Sequence, residues 1–465
     1  MLSIFDRSGK FPRRRLLTAG GLGLGSLSLP ALLAARGARQ RAPHAVTGKS
    51  VVFLFQQGGP SQFETFDPKV AAPTAVRTMT GVIPTRLPGV QFGDSLTRLS
   101  LLADQLTVVR SFQTNNGGHN IQPIVGPDSL QTNIGVHYAR VAGATHPRTG
   151  MPTNAVLYPA AVNAQVPGPM ARGNLASTGP YSSAWGPFIP GGNSQLQRDM
   201  TLAIDRNRFF TDRRHVLDQL DQLSRKWDAT GQLAATDELQ RQAYDLLLGG
   251  AVAEALDLSR EDPRTVARYD TSRFTRPGAW NKVSRGRKGY YNAQTSTLGK
   301  LLLLSRRLCE AGCGFVTIHA GYAGIWDMHA DQNNLNMIEG MEAVGRSFDH
   351  AVASFVEDVT ARGLADKILL VVCGEMGRTP KINRNGGRDH WGRLSPLLLF
   401  GGGLPGGHVI GQSTPNGGEP NADPLTPKHL ISTILHTVFD IGQLRLMPGV
   451  PPQLSQLSAP PPIHS

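Results

Sequence analysis

Val51-Val-Phe-Leu-Phe55, running directly into Gln56-Gln-Gly-Gly-Pro-Ser61, decides the fold class. Five apolar β-formers without a polar break read as a strand buried on both faces. Such strands belong to parallel sheets covered by helices. The glycine turn after it lets the chain leave the sheet sharply. The same pattern recurs along the sequence. An apolar run at 106–112 precedes Asn115-Asn-Gly-Gly-His119, and one at 314–319 precedes Ala-Gly-Tyr-Ala-Gly-Ile-Trp-Asp327. A run at 367–373 precedes Gly374-Glu-Met-Gly-Arg378, and one at 397–400 ends in three glycines. Between these runs, segments 208–258, 295–311, 337–362 and 424–439 carry helical periodicity. In the third, Val344, Phe348, Val352, Phe355 and Val359 fall on one face. Strands alternating with helices predict an α/β fold with a central, mostly parallel sheet flanked by helices.

The ends read differently from the middle. Arg13, Arg14 and Arg15 are followed by two leucines and a weakly apolar Gly/Ala/Leu run to Ala35. Basic flank, weak apolar segment and small-residue exit predict a twin-arginine signal peptide over 1–35, handled by the twin-arginine export machinery. That run is too weakly apolar for a stable membrane span in the mature form. The mature protein is therefore expected in the periplasm or outside the cell. A polar linker follows at 36–49, then a single α/β domain over 50–447. The Pro/Gly/Asn/Ser-rich stretch 150–200 is expected to be an ordered surface excursion. The Pro-rich tail 448–465 is expected to be disordered or draped on the surface. The whole chain is +13, but residues 1–41 carry eight basic side chains and only Asp6 as an acid, which leaves +6 on the remainder. Those basic residues are scattered, so no nucleic-acid partner is expected. Scattered positive charge still favours anionic substrates. Cys309, Cys313 and Cys373 are too few and odd in number for a disulfide framework, and buried thiols are expected.

The polar clusters all follow predicted strand ends, where open α/β sheets gather ligands. Glu64, Asp67, His119, Asp327, His329 and Glu375 should therefore converge, with Asp389 and His390 shortly after them in sequence. Asp327-Met-His329 places two ligand types on one side of an extended segment. Two histidines with carboxylates suit zinc, manganese or iron, and oxygen-rich sets move towards magnesium or calcium. The expected centre is one divalent cation on Asp327, His329 and His390. Glu375 is a further candidate ligand or an acceptor that fixes a histidine tautomer, and Asp389 and Glu64 are further candidate ligands. His119 is a ligand or a base. Arg378 can pair with a carboxylate, fork onto a phosphate or sulfate, or brace its loop. Ser61, Thr65, Asn116 and metal-bound water stay open as nucleophile or helper. Gly-Gly-Pro-Ser is not the G-x-S-x-G elbow of serine hydrolases.

Three blocks resemble a known family. Phe53-Leu-Phe-Gln-Gln-Gly-Gly-Pro-Ser-Gln-Phe-Glu-Thr-Phe-Asp-Pro-Lys69 is similar to the opening block of the domain-of-unknown-function 1501 family. Trp326-Asp-Met-His329 resembles its W-D-T-H block. Gly374-Glu-Met-Gly-Arg-Thr-Pro-Lys-Ile-Asn, with Gly386-Gly-Arg-Asp-His-Trp391, resembles its closing signature. That family is grouped with the alkaline-phosphatase-like superfamily of sulfatases, phosphatases and phosphopentomutases. The resemblance implies an alkaline-phosphatase-like sandwich with one or two divalent metals at the carboxyl edge of its sheet. Gln56 and Gln57 stand where superfamily enzymes place a metal-ligating aspartate, and no C-x-P-x-R sulfatase sequence occurs. Two functions follow as expectations. One is an exported metal-dependent hydrolase of phosphate or sulfate esters, polysaccharides among its substrates. The other is a non-catalytic exported protein that binds a glycan or a partner.

Overall fold

The structure is a computed structural model. It describes residues 5–6, 9–10, 45–191, 251–276, 283 and 285–463. Apart from residues 5–6 and 9–10, the predicted signal peptide lies outside the described residues, as do most of the 208–258 helical segment and 192–200 of the surface excursion.

Nine of the described strands position the site. They are β1 (Ser50–Phe55), β2 (Thr107–Val109), β3 (Asn154–Leu157), β4 (Phe315–His319), β5 (Ile368–Cys373), β6 (Gly377–Ile382), β7 (Arg388–Trp391), β8 (Leu397–Gly401) and β9 (His408–Ile410). Seven of them form one sheet in the order β9-β2-β8-β5-β1-β4-β3. β3, β4, β1 and β5 pair in parallel, and β8 runs against both β5 and β2. β2 therefore points the same way as β5. The exits of β1, β2, β4 and β5 consequently open on one edge of the sheet. The five predicted strands are present, and all side chains of β1 and β5 are buried.

Alternation along these strands feeds two cores. Val52, Leu54, Val316, Ile318, Leu370 and Val372 face helices α2 (Arg285–Glu310) and α3 (Arg346–Ala361). Val51, Phe53, Phe55, Phe315, Val371 and Cys373 face the opposite layer. There α1 (Ile134–Ala142) and α4 (Pro427–Val438) supply Ile134, Leu430, Ile434 and Val438. Each buried aliphatic side chain contributes roughly 1.5–3 kcal/mol. The result is an α/β/α sandwich. All three cysteines are buried free thiols, as predicted.

One expectation needs correction. The excursion at 150–200 is not wholly on the surface, because Asn154–Leu157 is a fully buried edge of the main sheet. The tail takes the second of its two expected states, draped on the domain. It forms α5 (Pro452–Leu457), buries Leu454 and Ile463, and bonds to α4 through Ile463 N–H to Thr433 Oγ1 at 2.9 Å.

Two histidines are buried as neutral rings. His319 Nε2–H donates to Gln57 Oε1 at 2.9 Å, while Nδ1 accepts from Gly321 N–H. Burial pushes its pKa down to about 3. His137 bonds the Ser129 carbonyl at 3.0 Å, and burial pushes it down to about 4. An unfolded histidine titrates near 6.5. The unfolded state therefore takes up protons first as pH falls. The stability tied to each ring is full above pH ~6.5 and declines towards the folded value by about 1.4 kcal/mol per pH unit. We expect His137→Gln to flatten the fall in unfolding free energy between pH 6.5 and 5 by about that slope, as read from urea melts. Parallel pH profiles for the two proteins would contradict it.

Candidate metal centre

The turn after β1 sets the floor of the site. Gly58 has φ +115°, and a Cβ there would lie 2.7 Å from the backbone nitrogens of Trp326 and Asp327. Only glycine lets the segment 326–327 lie this close. Gly58 N–H donates to Glu375 Oε1 at 2.8 Å, which ties the β1 and β5 exits together.

On that floor, His119, Asp327 and His390 each offer a ligand atom, and these atoms lie within 4.8 Å of one another. His119 comes from the loop after β2, Asp327 from the loop after β4, and His390 from β7. His119 Nε2 is 2.9 Å from Asp327 Oδ2, and His390 Nε2 is 3.2 Å from Asp327 Oδ1. Behind His119, Glu375 Oε1 is 3.0 Å from Nδ1. That contact places the Nδ1 proton and leaves Nε2 as the ligand atom, the carboxylate–histidine arrangement common behind metal ligands. His390 is oriented by the Gly117 carbonyl, 3.1 Å from its Nδ1.

The electrostatics match a cation site. Burial alone would lower the His119 pKa, but bonds to Asp327 and Glu375 outweigh it and raise the ring to about 9. Burial would raise Asp327, yet contacts from His119, His329, His390 and Arg378 hold it far below the usual carboxylate range. Glu375 is fully buried and shifted up by that burial, and its Oε2 has no partner among the described residues. Two imidazoles and a carboxylate, close together on a cavity wall, are a catalytic-type donor set for zinc or a similar ion.

The family model described as "Protein of unknown function (DUF1501)" matches residues 48–447. The chain belongs to the DUF1501 family. No curated protein matches the DUF1501 protein in sequence. Solved structures similar to it include the protein named Ps i-CgsB, at 9% identity and TM-score 0.35 over 90% of this chain and 78% of that one. Another is PsFucS1 sulfatase from Pseudoalteromonas sp., at 10% and 0.30 over 89% and 72%. A third is alkaline phosphatase from the Antarctic bacterium TAB5, at 14% and 0.28 over 87% and 99%.

In the DUF1501 protein His119 takes the place that the sequence reading gave to His329 in the trio. His329 stands beside it, its ring 5.2 Å from that of His390 and its Nδ1 2.9 Å from Asp327 Oδ1. Glu375 lies behind His119, where it orients the ring. Arg378 is fully buried and open to no substrate. Its guanidinium bonds Asp327 Oδ1 at 2.7 Å, the Gly59 carbonyl at 2.8 Å, the Arg388 carbonyl at 3.0 Å and the Gly58 carbonyl. Of the three readings open to it in sequence, including a catalytic one on phosphate or sulfate, the structure has it pair with a carboxylate, so it positions Asp327. Asn116 is also buried. Its Oδ1 accepts from Gly118 N–H at 3.0 Å, so it shapes the turn before His119.

Glu64 and Asp389 are not in the trio. Glu64 is fully buried against Arg388, 3.1 Å from its Nη2, and also accepts from Met79 N–H and Ser61 Oγ. Asp389 is exposed and accepts from Asn383 Nδ2 at 3.2 Å. The reason is strand alternation. Residues 386–391 read as a glycine turn but contain strand β7, so Arg388 and His390 share one face and Asp389 takes the other. Gln57, missed as a site residue, donates to the His119 carbonyl at 3.1 Å and the Arg172 carbonyl at 2.9 Å. Its place next to the β1 exit was the available signal.

Proposed function

We propose that the protein is an exported metal-dependent hydrolase of phosphate or sulfate esters, with anionic glycans as its substrate class. The convergence of His119 Nε2, Asp327 and His390 Nε2, with Glu375 behind His119, is the observation that supports it. A divalent cation held there supplies Lewis acidity towards the ester oxygens and makes water a better nucleophile. The chain's own residues do the rest. Glu375 holds the proton on His119 Nδ1. Arg378 keeps the Asp327 carboxylate ionised and aimed. His329, whose side chain is 21% exposed, lines the same cavity as the trio and can pass a proton at Nε2.

Ser61 and Thr65 are poor nucleophile candidates. The Ser61 hydroxyl donates to Glu64, and the Thr65 hydroxyl donates to the Ser61 carbonyl at 2.6 Å. Water is thus the proposed nucleophile. The same observation favours the second reading, a glycan-binding protein that keeps the cation but not the reaction. Zinc-loaded protein incubated with 4-nitrophenyl phosphate, 4-nitrophenyl sulfate and sulfated oligosaccharides separates the two. Turnover that a chelator abolishes and zinc restores is expected. Tight oligosaccharide binding with no turnover would select the second reading. Export is tested by lysines in place of Arg13, Arg14 and Arg15, which should hold the chain in the cytoplasm.

A further inference from the structure

The wall of the metal site carries two arginines that the proposed reaction does not use. A cavity of about 280 Å³ is lined by His119, Asp327 and His390, and also by Arg172, Arg287 and Tyr322. We propose that Arg172 and Arg287 form an anion-recognition subsite beside the metal site, so that the substrate is a polyanionic chain bearing a second sulfate, phosphate or carboxylate next to the reacting ester. This rests on the metal-site reading above and extends it to substrate choice.

The Arg287 side chain and the Arg172 backbone are both fixed, and neither guanidinium is neutralised among the described residues. The Arg287 guanidinium carbon stands 4.6 Å from the centre of the Tyr322 ring, and Tyr322 stacks on Tyr290 at 5.1 Å. Arg287 also meets the Met170 sulfur. The Met170 strip is fixed in turn, since Met170 N–H bonds the Gly321 carbonyl and Ala323 N–H bonds the Met170 carbonyl. Arg172 is anchored through its backbone. Gln57 Nε2 donates to its carbonyl at 2.9 Å, and Gln57 Oε1 accepts from its N–H at 3.2 Å. The same Gln57 amide donates to the His119 carbonyl. One buried amide thus sets the position of a metal ligand and of a cavity arginine together.

Neither arginine has a carboxylate partner among the described residues, whereas the buried Arg378 and Arg388 are paired with Asp327 and Glu64. An unpaired guanidinium can fork onto an incoming oxyanion. Asp331 lines the same cavity, but its Oδ1 accepts from Asn333 and Asn334 N–H and its Oδ2 lies 3.6 Å from His329 Nε2. Asp327 faces the trio and Arg378. Among the described residues no ion pair ties either arginine to Asp331 or Asp327, so both guanidinium groups are left to an incoming anion. A single ester group engages the cation, and a second anion reaches the arginines.

The test uses the zinc-loaded full domain, with dextran sulfate oligosaccharide as probe and neutral dextran as blank. Arg172→Gln with Arg287→Gln is expected to weaken dextran sulfate binding by roughly tenfold or more, while zinc per chain stays at the wild-type value. Arg172→Glu should weaken it further. Arg264→Gln with Arg445→Gln removes the same charge elsewhere on the exposed surface and should leave binding within about twofold. Unchanged binding in the Arg172/Arg287 variant, or an equal loss in the Arg264/Arg445 variant, would overturn the subsite. A wild-type chain that takes up no zinc yet binds through Arg172 and Arg287 would defeat the metal reading and keep the subsite. A zinc-bearing chain indifferent to both substitutions would do the reverse.

Discussion

Asp327→Asn is expected to lower affinity for zinc by at least about 100-fold, more than is typical for loss of an outer partner of a ligand. Asp327 is the hub of the centre. Its oxygens face His119, His329, His390 and Arg378 at 2.7–3.2 Å. Asparagine keeps the shape but removes the charge that draws the cation. It also leaves the buried Arg378 without a carboxylate, which costs about 3–5 kcal/mol where such a pair is fully broken. The carbonyls of Gly58, Gly59 and Arg388 still accept from Arg378, so the loss should fall at the low end. His329→Gln gives the contrast. His329 stands beside the trio, and its loss should change zinc affinity by less than about tenfold. Zinc titration of the two variants checks this. A greater loss from His329→Gln than from Asp327→Asn would reassign the ligands.

The second large effect is structural. Arg388 and Glu64 are both fully buried, 3.1 Å apart. The Arg388 guanidinium also stands 4.1 Å from the Phe63 ring centre and donates to the carbonyls of Val76, Arg77, Thr379 and Pro380. Arg388→Leu leaves a buried carboxylate with no counter-charge, and we expect a loss of about 3–5 kcal/mol in urea unfolding. Arg388→Lys should recover little, because an ammonium cannot make the planar fork. Adding Glu64→Leu to Arg388→Leu should restore part of the loss, since the orphaned charge goes with it. Because Arg388 is two residues from His390 on β7, zinc binding should weaken along with stability. A change under ~1 kcal/mol in the single variant would mean the pair behaves like a surface ion pair.

These two residues show what a sequence can and cannot reveal. The runs at 51–55, 314–319 and 367–373 were legible because a strand buried on both faces must be apolar throughout. Their common edge followed from the geometry of parallel sheets. Asn154–Leu157 was hidden by its length of four residues within a Pro/Gly-rich stretch. The hairpin β6–β7 was hidden by its own glycines and by Pro380, which is tolerated because the hairpin is a two-stranded sheet outside the main one. The site was legible as a set of residues but not as roles. Whether Glu64 meets a cation or Arg388, and whether Arg378 meets substrate or Asp327, depends on packing between segments more than 300 and about 50 residues apart. No local pattern records such a choice. Gln57 illustrates the same limit. An amide where a carboxylate was expected reads as a missing ligand, yet it ties His119 to Arg172 and His319.

One divalent cation is proposed to sit on His119, Asp327 and His390. Crystals grown with zinc and measured at the zinc absorption edge test it most directly. A single anomalous peak per chain is expected within about 2.0–2.2 Å of His119 Nε2, an Asp327 oxygen and His390 Nε2. No peak at that position, or a peak held instead by Glu64 or Asp389, would contradict it.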